Sequence, residues 1–212
     1  MVVVSGVGKS SIVARLLGRL AGLRLSVSAT TRPPRPTERD GVDYHFVTEK
    51  QFRRLIEEGR MLEWAQVFGY LYGTPAAELE RAEREGKTLL LDIDVDGVAQ
   101  LRNKGIEGLY IFIAPPSMEE LERRLRGRGT ENEKQLAKRL ARARYEMEKQ
   151  TLFDAVVVND SLDRAVEEVI NLIVSRLGER VYGPGKGDKQ NSETDRQSGR
   201  QVQIGGADAE ET

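Results

Sequence analysis

The sequence predicts an open, mostly parallel α/β sheet. Three observations predict it. Short apolar runs of strand length alternate with longer segments whose apolar residues recur at helical spacing. The run TLLLDI at Thr88–Ile93 is continuous and apolar and ends in acids, as a strand covered on both faces does. The first run, Met1–Val4, passes through glycines into a helical pattern. In such sheets ligands sit beyond the carboxyl ends of the strands.

Each element follows in order. After Met1–Val4, the segment from Ser11 to Ala21 carries Ile12, Val13, Leu16, Leu17 and Leu20 on one stripe and predicts a helix. Residues Leu23 to Ser28 predict a second strand. The stretch TTRPPRPTERDGVDYHF, Thr30–Phe46, is rich in Pro, Arg and Asp and predicts an exposed, stiff loop. A helix is predicted from Glu49 to Glu58 and closed by Gly59; a strand from Met61 to Val67; a turn from Gly69 to Gly73; a charged helix from Ala76 to Glu85 closed by Gly86. Beyond Thr88–Ile93, LYIFI at Leu109–Ile113 predicts another strand. Met118–Leu125 predicts a helix, preceded by prolines and by Ser117 as a cap. A long helix is predicted from Glu131 to Gln150, a strand from Ala155 to Val158 and a last helix from Leu162 to Leu177. From residue 183 to 212 the chain has no aromatic residue and almost no apolar one, so a disordered tail is expected.

Composition narrows the function. The 212 residues suffice for one domain with a real core. A net charge of −1 gives no reason to expect nucleic acid or an acidic membrane as partner. No cysteine is present, which excludes disulfides and cysteine-bound metal. No apolar run approaches the roughly 20 residues that span a bilayer, and the start does not read as a secretory signal.

Four groups of residues could carry chemistry. Gly6-Val7-Gly8-Lys9-Ser10 matches the end of the phosphate-loop pattern G-x-x-x-x-G-K-[ST], between a strand and a helix. There backbone N–H groups and Lys9 would meet phosphates and the Ser10 hydroxyl a magnesium ion. The bland alternative is a glycine turn before an ordinary helix. Arg32 and Arg35 flank Pro33 and Pro34, and two preorganised guanidinium forks suit a phosphate dianion, with Tyr44 as a further donor; a solvated basic loop is the alternative. His45, the one histidine, reads as structural. Asp92 and Asp94, at i and i+2 on a strand, would face one side at the ligand edge. Arg124, Arg128 and Arg139 lie in two arginine clusters, RRLRGRGT and KRLARAR, and could close over a phosphoryl group. Composition alone favours helices laced with Glu–Arg pairs.

In this order the pieces resemble the guanylate kinase family. The motifs are GVGKSS, SVSATTRPPR, DGVDYHFV, MLEWAQV, YLYGT, LLLDIDVDG, FIAPPS, RLRGRGT and VVVND, running from Gly6 to Asp160. The resemblance implies a P-loop nucleoside monophosphate kinase fold over residues 1–182, with a GMP-binding region at about 29–86 and a lid at about 118–150. It implies transfer of the γ-phosphate of ATP to GMP or dGMP, with Mg²⁺, by a monomer in the cytoplasm. Ser28, Glu63, Thr74 and Asp94 match guanine-recognising positions. Carboxylates can accept from guanine N1–H and the exocyclic amine, which adenine does not offer at the same places. Arg32, Arg35, Tyr44 and Tyr72 match residues that hold the GMP phosphate. Gly6, Val7, Gly8, Lys9, Ser10 and Ser11 match the ATP-phosphate loop, with Ser10 at the metal and Asp92 near it through water. Lys9, Arg124, Arg128 and Arg139 match the charge-stabilising set, and Asn159 a position beside adenine.

The chain departs from the family pattern at its start. The family loop reads G-P-S-G-x-G-K-[ST]. Aligned without a gap, Val3 and Val4 fall on the Gly and Pro, and little is left of the first strand. Aligned with a gap, the strand stays whole and the loop loses three residues, about 10 Å of reach. Either weakens the phosphate cradle. Leu71 replaces the usual Tyr and Asp96 the common Gln. Besides an active kinase, two readings follow: a non-catalytic guanylate-kinase-like binding module, and a chain lacking residues of an ordinary enzyme.

Overall fold

A computed structural model describes residues 1–67, 69–127 and 132–183. In chain order the elements are β1 (Val2–Gly6), α1 (Lys9–Arg19), β2 (Leu23–Leu25), β3 (Ala29–Thr30), β4 (His45–Phe46), α2 (Glu49–Glu57), β5 (Met61–Val67) and β6 (Tyr70–Pro75). They continue with α3 (Ala77–Arg84), β7 (Thr88–Asp92), α4 (Val95–Asn103), β8 (Leu109–Ala114), α5 (Met118–Gly127), α6 (Glu133–Glu148), β9 (Ala155–Val158) and α7 (Leu162–Leu177).

Five strands form one parallel sheet in the order β2-β7-β1-β8-β9. Its centre is β1, buried along its whole length. The three valines at its start are β-branched and fit a pleated strand covered on both faces. Val2 and Val4 join a core made with α1 and α7, while Val3 faces the other core with Leu89, Leu91, Val98 and Leu101. That alternation is the period of two that a strand imposes.

A second, mixed sheet runs β4-β3-β6-β5. β5 and β6 form an antiparallel hairpin, with Glu63 opposite Thr74 and Trp64 opposite Gly73. The sequence expectation of a plain turn at Gly69–Gly73 is therefore corrected. Tyr70, Leu71 and Tyr72 continue as a strand because the hairpin and α2 together give Leu71 a core with Phe52, Met61 and Ala29. The second strand expected at Leu23–Ser28 stops at Leu25, where the chain leaves one sheet for the other. Ser26 N–H still donates to Leu90 O (3.0 Å), and Val27 N–H to the buried Glu78 carboxylate (2.9 Å).

Helix α4 has no counterpart in the sequence expectations. Asp94 caps it, with Oδ1 accepting from Gly97 N–H at 2.9 Å, and Val95, Val98 and Leu101 are buried beneath it. Asp94 thus lies beyond the strand that carries Asp92, and the i, i+2 strand argument for the pair does not hold. Helices α5 and α6 pack on each other through Leu121, Leu125, Leu136, Leu140 and Ala143, with Val7 against them. Ser117 caps α5, accepting from Glu120 N–H at 3.1 Å, as the sequence suggested. No helix among the described residues is long and apolar enough to cross a membrane. Most of the expected tail lies outside the described residues.

Candidate active site

The site begins where β1 ends. Gly6 has φ 101°, and a Cβ there would come 2.2 Å from the Ile113 carbonyl oxygen, so only glycine fits. Val7 N–H donates to that same oxygen at 3.0 Å. Gly8, with φ 79°, is the last residue before α1, whose first residue is Lys9. Strand and helix are therefore joined by Val7 and Gly8 alone. The first-turn N–H groups of α1 point beyond the carboxyl end of the sheet, where an N-terminus favours an anion.

Lys9 reaches the end of the neighbouring strand. Its Nζ donates to Ile93 O (3.1 Å) and stands 3.5 Å from Asp92 Oδ1. Burial pushes the Asp92 carboxyl up, while Lys9 and the Ser10 hydroxyl beside it pull the other way. Asp92 Oδ1 is buried and accepts no hydrogen bond. A carboxylate oxygen paired with the Lys9 ammonium and free of hydrogen bonds, beside a serine hydroxyl, belongs to an oxygen set a hydrated divalent cation can use.

Two cavities open on either side of this edge. The first, of about 500 Å³, lies between the Val7–Gly8 turn, the helices α5 and α6, and the end of β9. Val7, Gly8, Ser11, Arg124, Arg139 and Asn159 line it. Arg124 is held there by Glu120 (2.6 Å) and by the carbonyls of Asn159 (2.8 Å) and Asp160 (3.1 Å).

The second cavity, of about 610 Å³, lies between the mixed sheet and the end of β7. Lys9, Ser28, Tyr44, Glu63, Tyr72, Asp92 and Asp94 line it. Glu63 is buried and accepts a hydrogen bond from Thr74 Oγ1 at 2.7 Å. Burial above all, then the nearby charge of Asp94, push the Glu63 carboxyl up to about 7, against the Thr74 hydrogen bonds and Lys104. Arg32 sits behind Tyr44, with its guanidinium 5.6 Å from that ring's centroid, and is held by Glu38 (2.8 Å). Tyr44 and Tyr72 meet edge to face at 6.1 Å. Arg35 is exposed, 3.8 Å from Glu38. His45 lies apart from both cavities' linings, with Nε2 3.7 Å from Glu78.

So the structure gathers the sequence candidates into two groups facing one another. Gly6, Ser10, Arg32, Arg35 and Thr74 support or flank the cavities rather than line them. Arg128 lies outside the described residues. Sequence reasoning missed Arg142 and Glu146, which line both cavities. Arg142 was within sight, inside KRLARAR, but only the packing of α6 tells which of its arginines turns inward. Gln100 was missed with its helix; it brackets Trp64, accepting from Trp64 N–H (3.1 Å) and donating to Trp64 O (2.6 Å).

A parallel sheet with a glycine turn and lysine at its carboxyl edge, between two cavities, is the arrangement of a nucleotide-binding α/β protein. Comparison with known proteins narrows the class. The guanylate kinase family model matches residues 1–176. The chain is 49% identical over 169 residues to a guanylate kinase of Parasynechococcus marenigrum, covering 80% of this chain and 93% of that protein. It is 47% identical over 175 residues to a guanylate kinase of Schizosaccharomyces pombe, covering 81% and 87%. A crystal structure of guanylate kinase from Anaplasma phagocytophilum superposes with a TM-score of 0.66 at 34% identity, covering 83% of this chain and 85% of that one. The chain belongs to the guanylate kinase family, and its activity is that of an ATP:GMP phosphotransferase.

Proposed function

We propose that the first cavity takes ATP and the second GMP, and that phosphate passes between them beside Lys9. One observation carries this reading: the start of α1 parts the cavities, with Gly8 and Ser11 lining the first and Lys9 the second, so the phosphates of two ligands filling them would meet there. Ser28, Glu63, Thr74 and Asp94 would read guanine. Ionised Glu63 can accept from the base's N–H donors, while Thr74 fixes its rotamer. Arg32, Arg35, Tyr44 and Tyr72 would hold the GMP phosphate. Gly8, Lys9, Ser10 and Ser11 at the start of α1 would receive the ATP phosphates, with Asn159 beside adenine. Ser10 would hold Mg²⁺ and Asp92 would face it through water; the ion neutralises phosphate charge. Lys9, Arg124, Arg128 and Arg139 would stabilise the charge that spreads over the transferred phosphoryl group. The GMP-binding region covers about residues 29–86 and the lid about 118–150. The reading is completed by a monomer in the cytoplasm, supplied with ATP and GMP.

We further infer that the phosphate loop is three residues shorter than the family form. Val2–Gly6 supplies a whole strand, which favours the gapped alignment. Val7 N–H is committed to Ile113 O, which removes one donor from the cradle. Weak ATP binding follows, with GMP binding intact.

The test is ADP release with Mg-ATP, with and without GMP. It is run on this chain and on a variant with Gly-Pro-Ser inserted between Ser5 and Gly6. GMP-dependent release by both, with KM for ATP lowered about tenfold by the insertion, is expected. Turnover by the insertion variant alone would make the natural chain a GMP-binding module. Absence of GDP from both would overturn the assignment of the cavities.

A further inference from the structure

Arg142 occupies an unusual place. It projects from α6 across to the start of α4, and its Nη2 donates to two acids there, Asp94 Oδ2 at 3.0 Å and Asp96 Oδ2 at 2.9 Å. Its Nε donates to Glu146 at 3.1 Å, one turn along its own helix. Tyr145 adds a second strut, donating to Asp96 Oδ1 at 2.5 Å, and the Arg142 guanidinium lies 5.1 Å from the Tyr145 ring centroid.

Stability does not explain this cluster. The Arg142 side chain is 42% exposed, and ion pairs in such surroundings are worth roughly 0–1 kcal/mol. The geometry explains more. Asp94 Oδ1 is spoken for by Gly97 N–H, so Arg142 on Oδ2 is what fixes the remaining rotation of this carboxylate. A carboxylate oxygen has two lone pairs, so Oδ2 can keep the arginine and still accept from a ligand. Asp96 gives Arg142 a second anchor if Asp94 shifts.

We propose that Arg142 is a positioning residue for guanine: it holds Asp94 for the base and ties an occupied GMP cavity to the lid helix α6. This rests on the assignment of the second cavity to GMP. A corollary concerns Glu63, which faces Asp94 at the cap of α4, Thr74 on β6 and Lys104 at the end of α4. Arg142 offsets the Asp94 charge. Without it, that charge acts on Glu63 in full, and Glu63 ionises only at higher pH.

The experiment is titration of GMP alone into the full chain by calorimetry, from pH 6 to pH 9. It compares the parent with Arg142→Met, Arg142→Lys and a control, Arg126→Met, whose arginine pairs with Glu122 and Glu133 on the outer lid surface. Arg142→Met is expected to weaken GMP binding about five- to tenfold and to move the pH midpoint of binding upward. Arg142→Lys should fall between, and Arg126→Met should match the parent. Equal affinity and equal midpoint in Arg142→Met would overturn the proposal. Weaker binding with an unmoved midpoint would also overturn it, because that pattern marks lid packing alone. A parent chain that binds no GMP would overturn the cavity assignment and this proposal with it, an outcome distinct from the other two.

Discussion

Glu63 occupies space that Gly97 leaves open: a Cβ on Gly97 would stand 2.7 Å from Glu63 Oε2. Gly97 lies in the first turn of α4, where alanine is intrinsically better by roughly 0.5–1 kcal/mol. Glu63 cannot simply yield, since Thr74 holds its other oxygen. The clash outweighs that preference, so Gly97→Ala is expected to lower the melting temperature by a few degrees and to raise KM for GMP about tenfold, with KM for ATP unchanged. Steady-state kinetics with each substrate varied in turn would check it. An unchanged KM for GMP would count against the close fit.

The pH dependence follows from the Glu63 carboxyl, raised to about 7. Only the ionised form accepts from both guanine donors, so GMP affinity should rise roughly tenfold between pH 6 and pH 8. Stability runs the other way. The folded-state value lies above the ordinary carboxylate range, so the stability linked to this group is full below that range and lost as pH rises through about 7. Glu63→Gln should melt above the parent at pH 8, match it at pH 5, and bind GMP weakly with no midpoint near 7. Calorimetric melts and GMP titrations across this range decide the point.

Gly6→Ala should be costly. Its Cβ would overlap the Ile113 carbonyl oxygen at 2.2 Å, and φ 101° disfavours any side chain. A loss of about 3 kcal/mol or more is expected, lowering the melting temperature by roughly 6–12 °C. A melt within two or three degrees of the parent would contradict it.

Glu78 clasps the passage between the two sheets. It is buried and accepts from Val27 N–H (2.9 Å) and Arg24 Nη2 (3.2 Å), with His45 on the far side. Glu78→Ala leaves the half-buried Val27 N–H without this partner and Arg24 with Glu85 (3.3 Å) in place of two carboxylates, and should cost about 1–3 kcal/mol. Glu78→Gln keeps an acceptor and should cost less. Urea unfolding of both variants measures the difference.

Much of this architecture was legible in the sequence, and the exceptions share a cause. All five strands of the parallel sheet, including the short β2, begin in apolar runs bounded by turn residues. α4 was missed because its segment, VDGVAQLRN, carries a glycine and few large apolar residues, although Val95, Val98 and Leu101 do fall on one face. β6 was missed because Tyr70–Pro75 contains Gly73 and a proline and gains its strand character from pairing with β5. Residues named from several distant segments of the sequence, among them Lys9, Glu63, Arg124 and Asn159, line the cavities. Arg142 was not so named, because its partners Asp94 and Asp96 belong to the missed helix cap.

The strand that carries the phosphate turn precedes its sheet neighbours in the chain and is completed late. β1 lies between β7 and β8, so it finds no sheet neighbour until the chain beyond residue 88 has emerged, and its second flank waits for residue 109. Until then three consecutive valines remain uncovered on the nascent chain, a short sticky segment of the kind chaperones shield. Closing such long loops also makes for slow folding.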